Sequence, residues 1–383
     1  MSELVVEREH RVSPLELFFD LVFVFGLTQV TTLWLDERTW AGLGRGLLVL
    51  TVLWWVWASY AWLTNAANVD VGIVTAVILF STGASFIAAL AVPEAFGAHR
   101  YLFGVALFAV LLAFIVLFAL VSKRTPALLA AVLRIAWPVL AGAALVLAAG
   151  FVPSGVRPAL WGLALVVGFF GAGLSGTGGF GVAPSHFAER HGLIVIIAIG
   201  ESLGAIGFGA RETHLGAGVI AAVVLGLVVA ASFWLAYFDF AARGIERVMA
   251  EHHGEDRVRF ARDVYTYAHF GMVAGIVLFA FAMRTALIHV HSDLKIIPAV
   301  ALCGGSALYL FAYVGARWRS SRTIGRGRPV AAAVCAACTP AAIAIPAIAA
   351  LGLVAAIWVA LHAYELIGFR DARAARRALP AQG

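Results

Sequence analysis

Two carboxylates stand at the start of the first apolar segment, Glu16 and Asp20 in "SPLELFFDLVFVFGLTQV". The "SPLE" stretch fits a helix start in which Glu16 closes a capping box, so capping alone could explain that carboxylate. Asp20 lies one turn deeper among apolar residues, where an unpaired carboxylate is costly in a membrane. It is expected either to pair with a cation, Arg190 or Arg134, or to take part in function.

A second polar cluster opens the seventh apolar segment, "SHFAERHGLIVIIAIGESLGAIGFG". Within it Glu201 is the most unusual residue of the chain, because it lies about halfway along an apolar run. Arg190 precedes it by eleven residues, about 16 Å along a helix, which is too far for a direct ion pair. Glu201 must therefore find a partner on another segment, remain protonated or contact water. A carboxyl group in that position is a candidate proton carrier.

Further acid–base groups lie near the boundaries of later segments: Tyr237 and Asp239 in "WLAYFDFAARG", and His269 in "YTYAHFGMV". Carboxylates, imidazoles and phenols in one place suit proton transfer or general acid–base chemistry. The candidate substrate- or proton-binding residues are Glu16, Asp20, Arg190, His191, Glu201, Tyr237, Asp239 and His269.

Metal and redox chemistry have weak support in the sequence. The histidines of "HFAERH" are five residues apart, a spacing that turns them away from a common ion, and no H-E-x-x-H occurs. Cys335 and Cys338 form a C-x-x-C inside "AAAVCAACTPAA", which is typical of small packing residues. We expect no metal and no cofactor.

The elements that hold these residues are predicted from composition and hydropathy. Of 383 residues 62% are hydrophobic and 13% charged, with mean hydropathy +0.95, a balance typical of a multi-pass membrane protein rather than a nucleic-acid-binding one. A crossing needs about 20 apolar residues. This criterion predicts an all-α bundle of twelve spans near 15–35, 41–63, 70–92, 100–121, 127–150, 157–177, 191–210, 215–240, 266–289, 295–316, 329–347 and 348–367. Prolines near 340–346 could instead kink one final helix.

The distribution of basic residues predicts the orientation. With the N-terminus inside, the loops and tails on that side hold 19 lysines and arginines, against 6 on the other side. The positive-inside rule then places both termini in the cytoplasm of a bacterial cell, with the bilayer as a partner and an even number of spans. No cleavable signal peptide is evident in the charged start "MSELVVEREHRV".

Weak internal similarity suggests a duplicated unit of six spans. "VSPLELFFDLVFVFG" resembles "VAPSHFAERHGLIVIIAIG", "WASYAWLTN" resembles "WLAYFDFAA", and "DVGIV" resembles "HFGMV", in the same order. We therefore expect a parallel repeat with halves 1–178 and 179–370 and a basic tail 371–383. The repeat places Asn65, Asp70 and the candidate residues other than Glu201 near the cytoplasmic side.

Two long motifs, "ELFFDLVFVFGLTQV" at 16–30 and "ERHGLIVIIAIGESL" at 189–203, resemble the bacterial low temperature requirement A (LtrA) proteins. "FWLAYFD" at 233–239 and "YAHFGMVAGIVLFAFA" at 267–282 support the resemblance, which covers the chain except its tails. It implies a bacterial multi-pass membrane protein associated with growth in the cold, and leaves the biochemical activity open. The matching motif positions are Glu16, Asp20, Glu189, His191, Gly200, Glu201 and His269.

Three functions remain open from the sequence. A proton-coupled secondary transporter of a small solute is favoured by the span number, the repeat and Glu201. An intramembrane enzyme acting on a lipid or small apolar metabolite from a cytoplasm-open cavity is favoured by the one-sided placement of the polar residues. A structural membrane protein needed in the cold leaves Glu201 unexplained. The substrate and the oligomeric state do not follow from the sequence.

Overall fold

The chain forms a bundle of membrane-length helices in a computed structural model that describes residues 11–239 and 241–368. Within these residues there is no strand, and twelve helical segments are long and apolar enough to cross a bilayer. In chain order they are α1 (Pro14–Asp36), α2 (Trp40–Ala66), α3 (Gly72–Leu90), α4 (Arg100–Ser122), α5 (Pro126–Ala149), α6 (Arg157–Leu174), α7 (Pro184–Arg211), α8 (Ala217–Glu251), α9 (Gly254–Ile288), α10 (Ile296–Ser321), α11 (Gly327–Ala344) and α12 (Ala347–Gly368). The predicted bundle of twelve spans is confirmed.

The last two spans are separate helices. Ile345 has an extended backbone, φ −129° and ψ 156°, and lies between the end of α11 and Pro346. A residue before proline is pushed out of the helical region by the proline ring, so the chain breaks there. The predicted tail 371–383 lies outside the described residues.

Three spans are longer than predicted by about two turns or more. The helix α7 begins at Pro184 instead of 191, α8 continues to Glu251 instead of 240, and α9 begins at Gly254 instead of 266. The apolar stretch on which the prediction rests ends at the polar residues of these helical turns. The helices continue past that point because the polar side chains either pair inside the protein or lie at the end of the bundle. As a result Arg190 and His191 lie in the second turn of α7 and not at its start.

The most buried helix is α9, with 83% of its most apolar stretch inside the protein. It packs closely on α10 because Gly275 and Gly305 face each other: a Cβ added at Gly305 would lie 2.6 Å from the Gly275 carbonyl oxygen. Small residues at such a crossing let two membrane helices approach, which increases their van der Waals contact.

The helices α1 and α7 run parallel, since Glu16 meets Arg190 near their starts while Thr28 meets Glu201 farther along. We call the side of the bundle at which both helices begin the N-side. The predicted duplication of the two halves remains a prediction.

Three spans contain π-helical turns, Leu165–Phe170 in α6, Leu235–Asp239 in α8 and Ala261–Ala268 in α9. Such turns widen the helix by one residue per turn and are frequent at functional sites. Those of α8 and α9 carry Tyr237 and Tyr265, and the turn of α9 ends next to His269.

Candidate functional site

The N-side of the bundle contains a buried ionic cluster centred on Arg190. Its Nη1 donates to Glu16 Oε1 at 2.8 Å and its Nη2 to Asp20 Oδ1 at 2.7 Å. The indole nitrogen of Trp57 donates to the same oxygen of Asp20 at 2.9 Å, and His186 Nε2 lies 3.1 Å from Glu16 Oε1. All five side chains are buried. Asp20 therefore has the ion pair that its depth demanded, with Arg190.

Glu16 combines two roles in this cluster. Its Oε2 accepts from the backbone N–H of Ser13 at 2.9 Å, while the Ser13 hydroxyl accepts from the Glu16 N–H at 3.2 Å, which completes the predicted capping box. The other carboxyl oxygen accepts from Arg190. The start of α1 is thereby joined to α7. Arg134 instead donates to the carbonyl oxygens of Ser175 and Gly178 and takes no part in the cluster.

His269 forms a hydrogen-bonded chain between α9 and α8. Its Nδ1 lies 2.9 Å from the Val264 carbonyl oxygen, five residues earlier, a contact made possible by the π-helical turn. A carbonyl can only accept, so Nδ1 carries the hydrogen and Nε2 offers a lone pair. The Tyr237 hydroxyl, 2.9 Å away, donates to that lone pair. Phenol and imidazole are thus arranged for proton exchange.

His191 lies beside this pair, its ring centroid 5.3 Å from that of His269 and 5.0 Å from that of Tyr265. Its Nδ1 donates to the Phe187 carbonyl oxygen at 2.8 Å, which leaves a lone pair on Nε2. Among the described residues neither this Nε2 nor the Tyr265 hydroxyl has a hydrogen-bond partner, although both are buried. Buried polar groups normally have a hydrogen-bond partner, so these two atoms are exceptions within the site.

A cavity of about 670 Å³ opens next to these rings. It is lined by Glu189 and Glu246 and by the rings of Tyr237, Phe238 and Tyr265, among other residues. The walls do not include Glu16, Asp20, His191 or His269, which lie behind them. Tyr237 is both part of the cavity wall and a hydrogen-bond partner of the His269 imidazole.

Glu201 forms a separate site deeper in the membrane. It lies 17 residues into α7, about 26 Å from the start of that helix. Its two carboxyl oxygens face threonine hydroxyls of α1, Oε2 at 2.5 Å from Thr28 Oγ1 and Oε1 at 2.9 Å from Thr31 Oγ1. The nearby cation Arg284 forms its ion pair with Glu212 at 2.6 Å.

The remaining candidate residues lie apart from these groups. Asp239 and Asp70 are exposed. Asn65 bridges α2 to the loop before α7, donating to the Gly181 carbonyl oxygen and accepting from the Ala183 N–H. The sequence predicts which residues lie at the same level of the membrane. It does not predict whether their side chains face the interior of the bundle.

Sequence reasoning missed four partners in the site: Thr28, Thr31, Trp57 in its role as donor, and Tyr265. A usable signal existed for the two threonines and for Tyr265. The threonines are three residues apart on one helix face, and Tyr265 precedes His269 by four residues.

A family model for the bacterial low temperature requirement A protein (LtrA) matches residues 11–363 of this chain. The chain belongs to the LtrA family. An LtrA relative, the "Uncharacterized protein RA0937" of Rhizobium meliloti (strain 1021), is 29% identical over 323 residues, which cover 81% of this chain and 78% of the relative. No solved structure matches the chain significantly. The two motifs that carry the LtrA resemblance contain Glu16, Asp20, Arg190, His191 and Glu201, which the fold brings together as two sites along α1 and α7.

Proposed function

We propose that this LtrA protein is a proton-coupled secondary transporter of a small solute in the bacterial cytoplasmic membrane. Its N-side faces the cytoplasm, the cavity beside Tyr237 and Tyr265 binds the solute, and Glu201 carries the proton. The proposal draws on the membrane-spanning bundle, on the paired sites at two depths along α1 and α7, and above all on the hydrogen bonds around Glu201.

Counting hydrogens around Glu201 supports a protonated carboxyl. Thr28 Oγ1 is within hydrogen-bond distance of both Val24 O (3.1 Å) and Glu201, and Thr31 Oγ1 of both Thr28 O (2.8 Å) and Glu201. These four contacts share only two hydroxyl hydrogens, because each threonine donates once. A carboxyl proton supplies a third, so that Glu201 donates to one threonine while accepting from the other. A neutral carboxyl also suits a membrane position where the nearby arginine is paired elsewhere.

The other groups have roles consistent with this function. The Arg190 cluster ties α1 to α7 at the N-side, so the two helices that share Glu201 move together. The His269–Tyr237 pair offers a route for protons between the cavity and the buried imidazoles. Ionisable residues inside the membrane commonly belong to proton relays of pumps and transporters.

Reconstituted protein tests the proposal. A panel of small metabolites is screened by thermal stability of the purified protein, and each stabilising compound is then followed in proteoliposomes under an inward proton gradient. Proteoliposomes with wild-type protein are expected to accumulate at least one of these compounds. The external solution, which is the acidic side of the gradient, should become more alkaline as protons enter with the solute. Glu201→Gln should bind the solute but lose gradient-driven accumulation, whereas the control Glu251→Gln, at an exposed position at the end of α8, should behave as wild type. Accumulation by Glu201→Gln equal to that of wild type would refute the role of Glu201.

An intramembrane enzyme is the second candidate, favoured by one observation. Tyr237 lines the cavity, and its hydroxyl donates to His269 Nε2, an arrangement suited to acid–base chemistry on a bound lipid or apolar metabolite. In that case mass spectrometry should find a converted compound after incubation with wild type, and none with Tyr237→Phe. Intact solute recovered from the proteoliposome lumen supports the transporter instead.

A further inference from the structure

A second cavity, away from the ionic cluster and from Glu201, lies between α2, α4, α5, α6 and α9. Its volume is about 100 Å³ and its walls are mostly aromatic: Trp55, Trp62, Phe114, Phe118, Phe169 and Phe180. Three polar groups in the wall are bonded within the protein: the Trp62 indole donates to Thr266 Oγ1 at 3.0 Å, the Ser59 hydroxyl to the Trp55 carbonyl oxygen at 2.8 Å, and Arg262 Nη1 to the Gly173 carbonyl oxygen at 2.9 Å. Apolar cavities of this size exclude water and accept small apolar groups.

The mouth of the cavity is polar. It lies at the loop after α6, where Gly176 is exposed and Thr177 lines the opening. Arg134 Nε and Nη2 donate to the carbonyl oxygens of Ser175 and Gly178 at 2.9 and 2.7 Å, on either side of those two residues. These two bonds use Nε and Nη2 and hold the exposed guanidinium of Arg134 beside the mouth, on the loop whose Thr177 hydroxyl also lies 3.5 Å from Glu255 Oε2. A cavity with an apolar interior and a cationic group at its mouth can bind a molecule that has an alkyl chain and an anionic head group.

The surroundings of the mouth identify which molecule of that kind is available. Leu133 and Trp137, beside Arg134 on α5, are 58% and 68% exposed, and Leu174 at the end of α6 is 85% exposed. In a membrane-spanning bundle such side chains face lipid, with tryptophan preferring the interface. Phospholipids of the surrounding leaflet therefore lie directly against the opening.

We propose that this cavity binds the acyl chain of a membrane phospholipid, with the chain end between the aromatic rings and the phosphate on Arg134. The site is independent of the proposed transport function, since neither Glu201 nor the ionic cluster contributes to it. Its wall includes Thr266 and Tyr267, from the π-helical turn of α9 that also carries Tyr265. The bound chain thus supports the turn from the side opposite the polar cavity.

Native mass spectrometry of the detergent-purified protein tests the site with two probes that share a palmitoyl chain, lysophosphatidylglycerol and monoacylglycerol. Wild type should bind one lysophosphatidylglycerol. Ala172→Trp, which fills the cavity from its wall, should weaken binding of both probes by about tenfold or more. Leu174→Trp places the same side chain outside the cavity and should bind as wild type. Arg134→Gln should weaken the phosphate-bearing probe about tenfold and leave monoacylglycerol unchanged.

Equal binding by Ala172→Trp and Leu174→Trp would place the lipids on the outer surface and overturn the proposal. Should Ala172→Trp fail to fold, quenching by a lysophosphatidylglycerol with a brominated chain end gives an independent answer. A chain in the cavity brings bromine close to Trp55, so Trp55→Phe should remove part of the quenching seen in wild type. The same fractional quenching in both proteins would show that the chain lies elsewhere.

Discussion

At the scale of single residues, the buried charges fall into two kinds. Glu16 and Asp20 are compensated by one arginine, with Trp57 and His186 as further partners. Glu201 is held by hydroxyl groups. Taking a charge out of water is costly unless an opposite charge and hydrogen bonds replace the solvent. The first group has Arg190, whereas an ionised Glu201 would have only the hydroxyls of Thr28 and Thr31, because Arg284 is paired with Glu212. The first kind therefore serves to hold helices together, and the second suits a group that gains and loses a proton.

Replacing Arg190 by methionine should be strongly destabilising. Both carboxylates would remain buried without their cation, and the loss expected for breaking a buried pair is about 3–5 kcal/mol in the free energy of unfolding. Adding Asp20→Asn to Arg190→Met should recover part of that loss, because one uncompensated charge is removed. Detergent-induced unfolding of the two single variants and the double variant gives the coupling energy. Additive losses would mean that the two side chains do not interact.

Replacing Glu201 by glutamine should leave stability at neutral pH within about 0.5 kcal/mol of wild type. The amide donates a hydrogen as a protonated carboxyl does, so Thr28 and Thr31 keep their contacts. Infrared difference spectra of wild type minus Glu201→Gln should show the carbonyl stretch of a protonated carboxylic acid at neutral pH. A carboxylate band in its place would contradict the hydrogen count and remove the main support for the transport proposal. The same measurement on Glu251→Gln, an exposed carboxylate at the end of α8, is the control.

At the scale of helices, the π-helical turns and the glycine contacts decide where the functional side chains point. The turn Ala261–Ala268 gives α9 an extra residue, so Tyr265 faces the polar cavity while Thr266 and Tyr267 face the apolar one. Beyond this turn Gly275 lets α9 lie directly against α10. A regular helix with a larger residue at the crossing would turn or displace His269 relative to Tyr237.

Two adjacent glycines of α10 provide a matched test of this packing. Gly305→Ala puts a Cβ within 2.6 Å of the Gly275 carbonyl oxygen, whereas a Cβ at Gly304 would have its nearest neighbour at 3.9 Å. Overpacking at the first position should cost about 1–3 kcal/mol. Gly304→Ala should be neutral or slightly stabilising, because alanine is the better helix former. Thermal unfolding in one detergent compares them. Equal melting temperatures would show that α9 and α10 are not in close contact.

At the scale of the whole molecule, charge is separated between the two sides and buried pairs join distant segments. Arg328 of α11 donates to Glu365 of α12 at 2.7 Å and to the Ala236 carbonyl oxygen of α8 at 3.2 Å, and it lies 3.6 Å above the ring of Tyr313. This pair fixes the last two helices against the π-helical turn that carries Tyr237. The last two spans are thereby joined to the wall of the polar cavity.

Orientation in the membrane is a prediction for the whole chain. The span boundaries predicted from hydropathy assign 19 basic residues to the loops and tails on the side of the N-terminus and 6 to the opposite side, so both termini should lie in the cytoplasm. A fluorescent protein fused to the C-terminus should fluoresce in cells, and alkaline phosphatase fused there should be inactive. The same reporters in the loop between α1 and α2 should give the opposite results. Active phosphatase at the C-terminus would reverse the orientation and move the polar cavity to the outer side.

The sequence by itself determined the number and type of elements. Length and hydropathy define twelve spans because lipid requires each crossing to satisfy its own backbone. The capping box of Glu16 was also predicted, since its hydrogen bonds stay within four residues.

Only the tertiary structure decided which polar residues meet. Asp20 could have paired with either arginine, and the fold selects Arg190 because α7 begins two turns earlier than its hydropathy indicates. Asp239 and His269 lie at similar depths on adjacent helices, yet one is exposed and the other buried. The π-helical turns change the helix face on which a side chain lies, and the amino-acid composition does not indicate where such turns occur. Thr28 and Thr31 become partners of Glu201 only when α1 and α7 lie side by side. Depth is a property of one segment, whereas contact depends on how segments rotate and pack against each other.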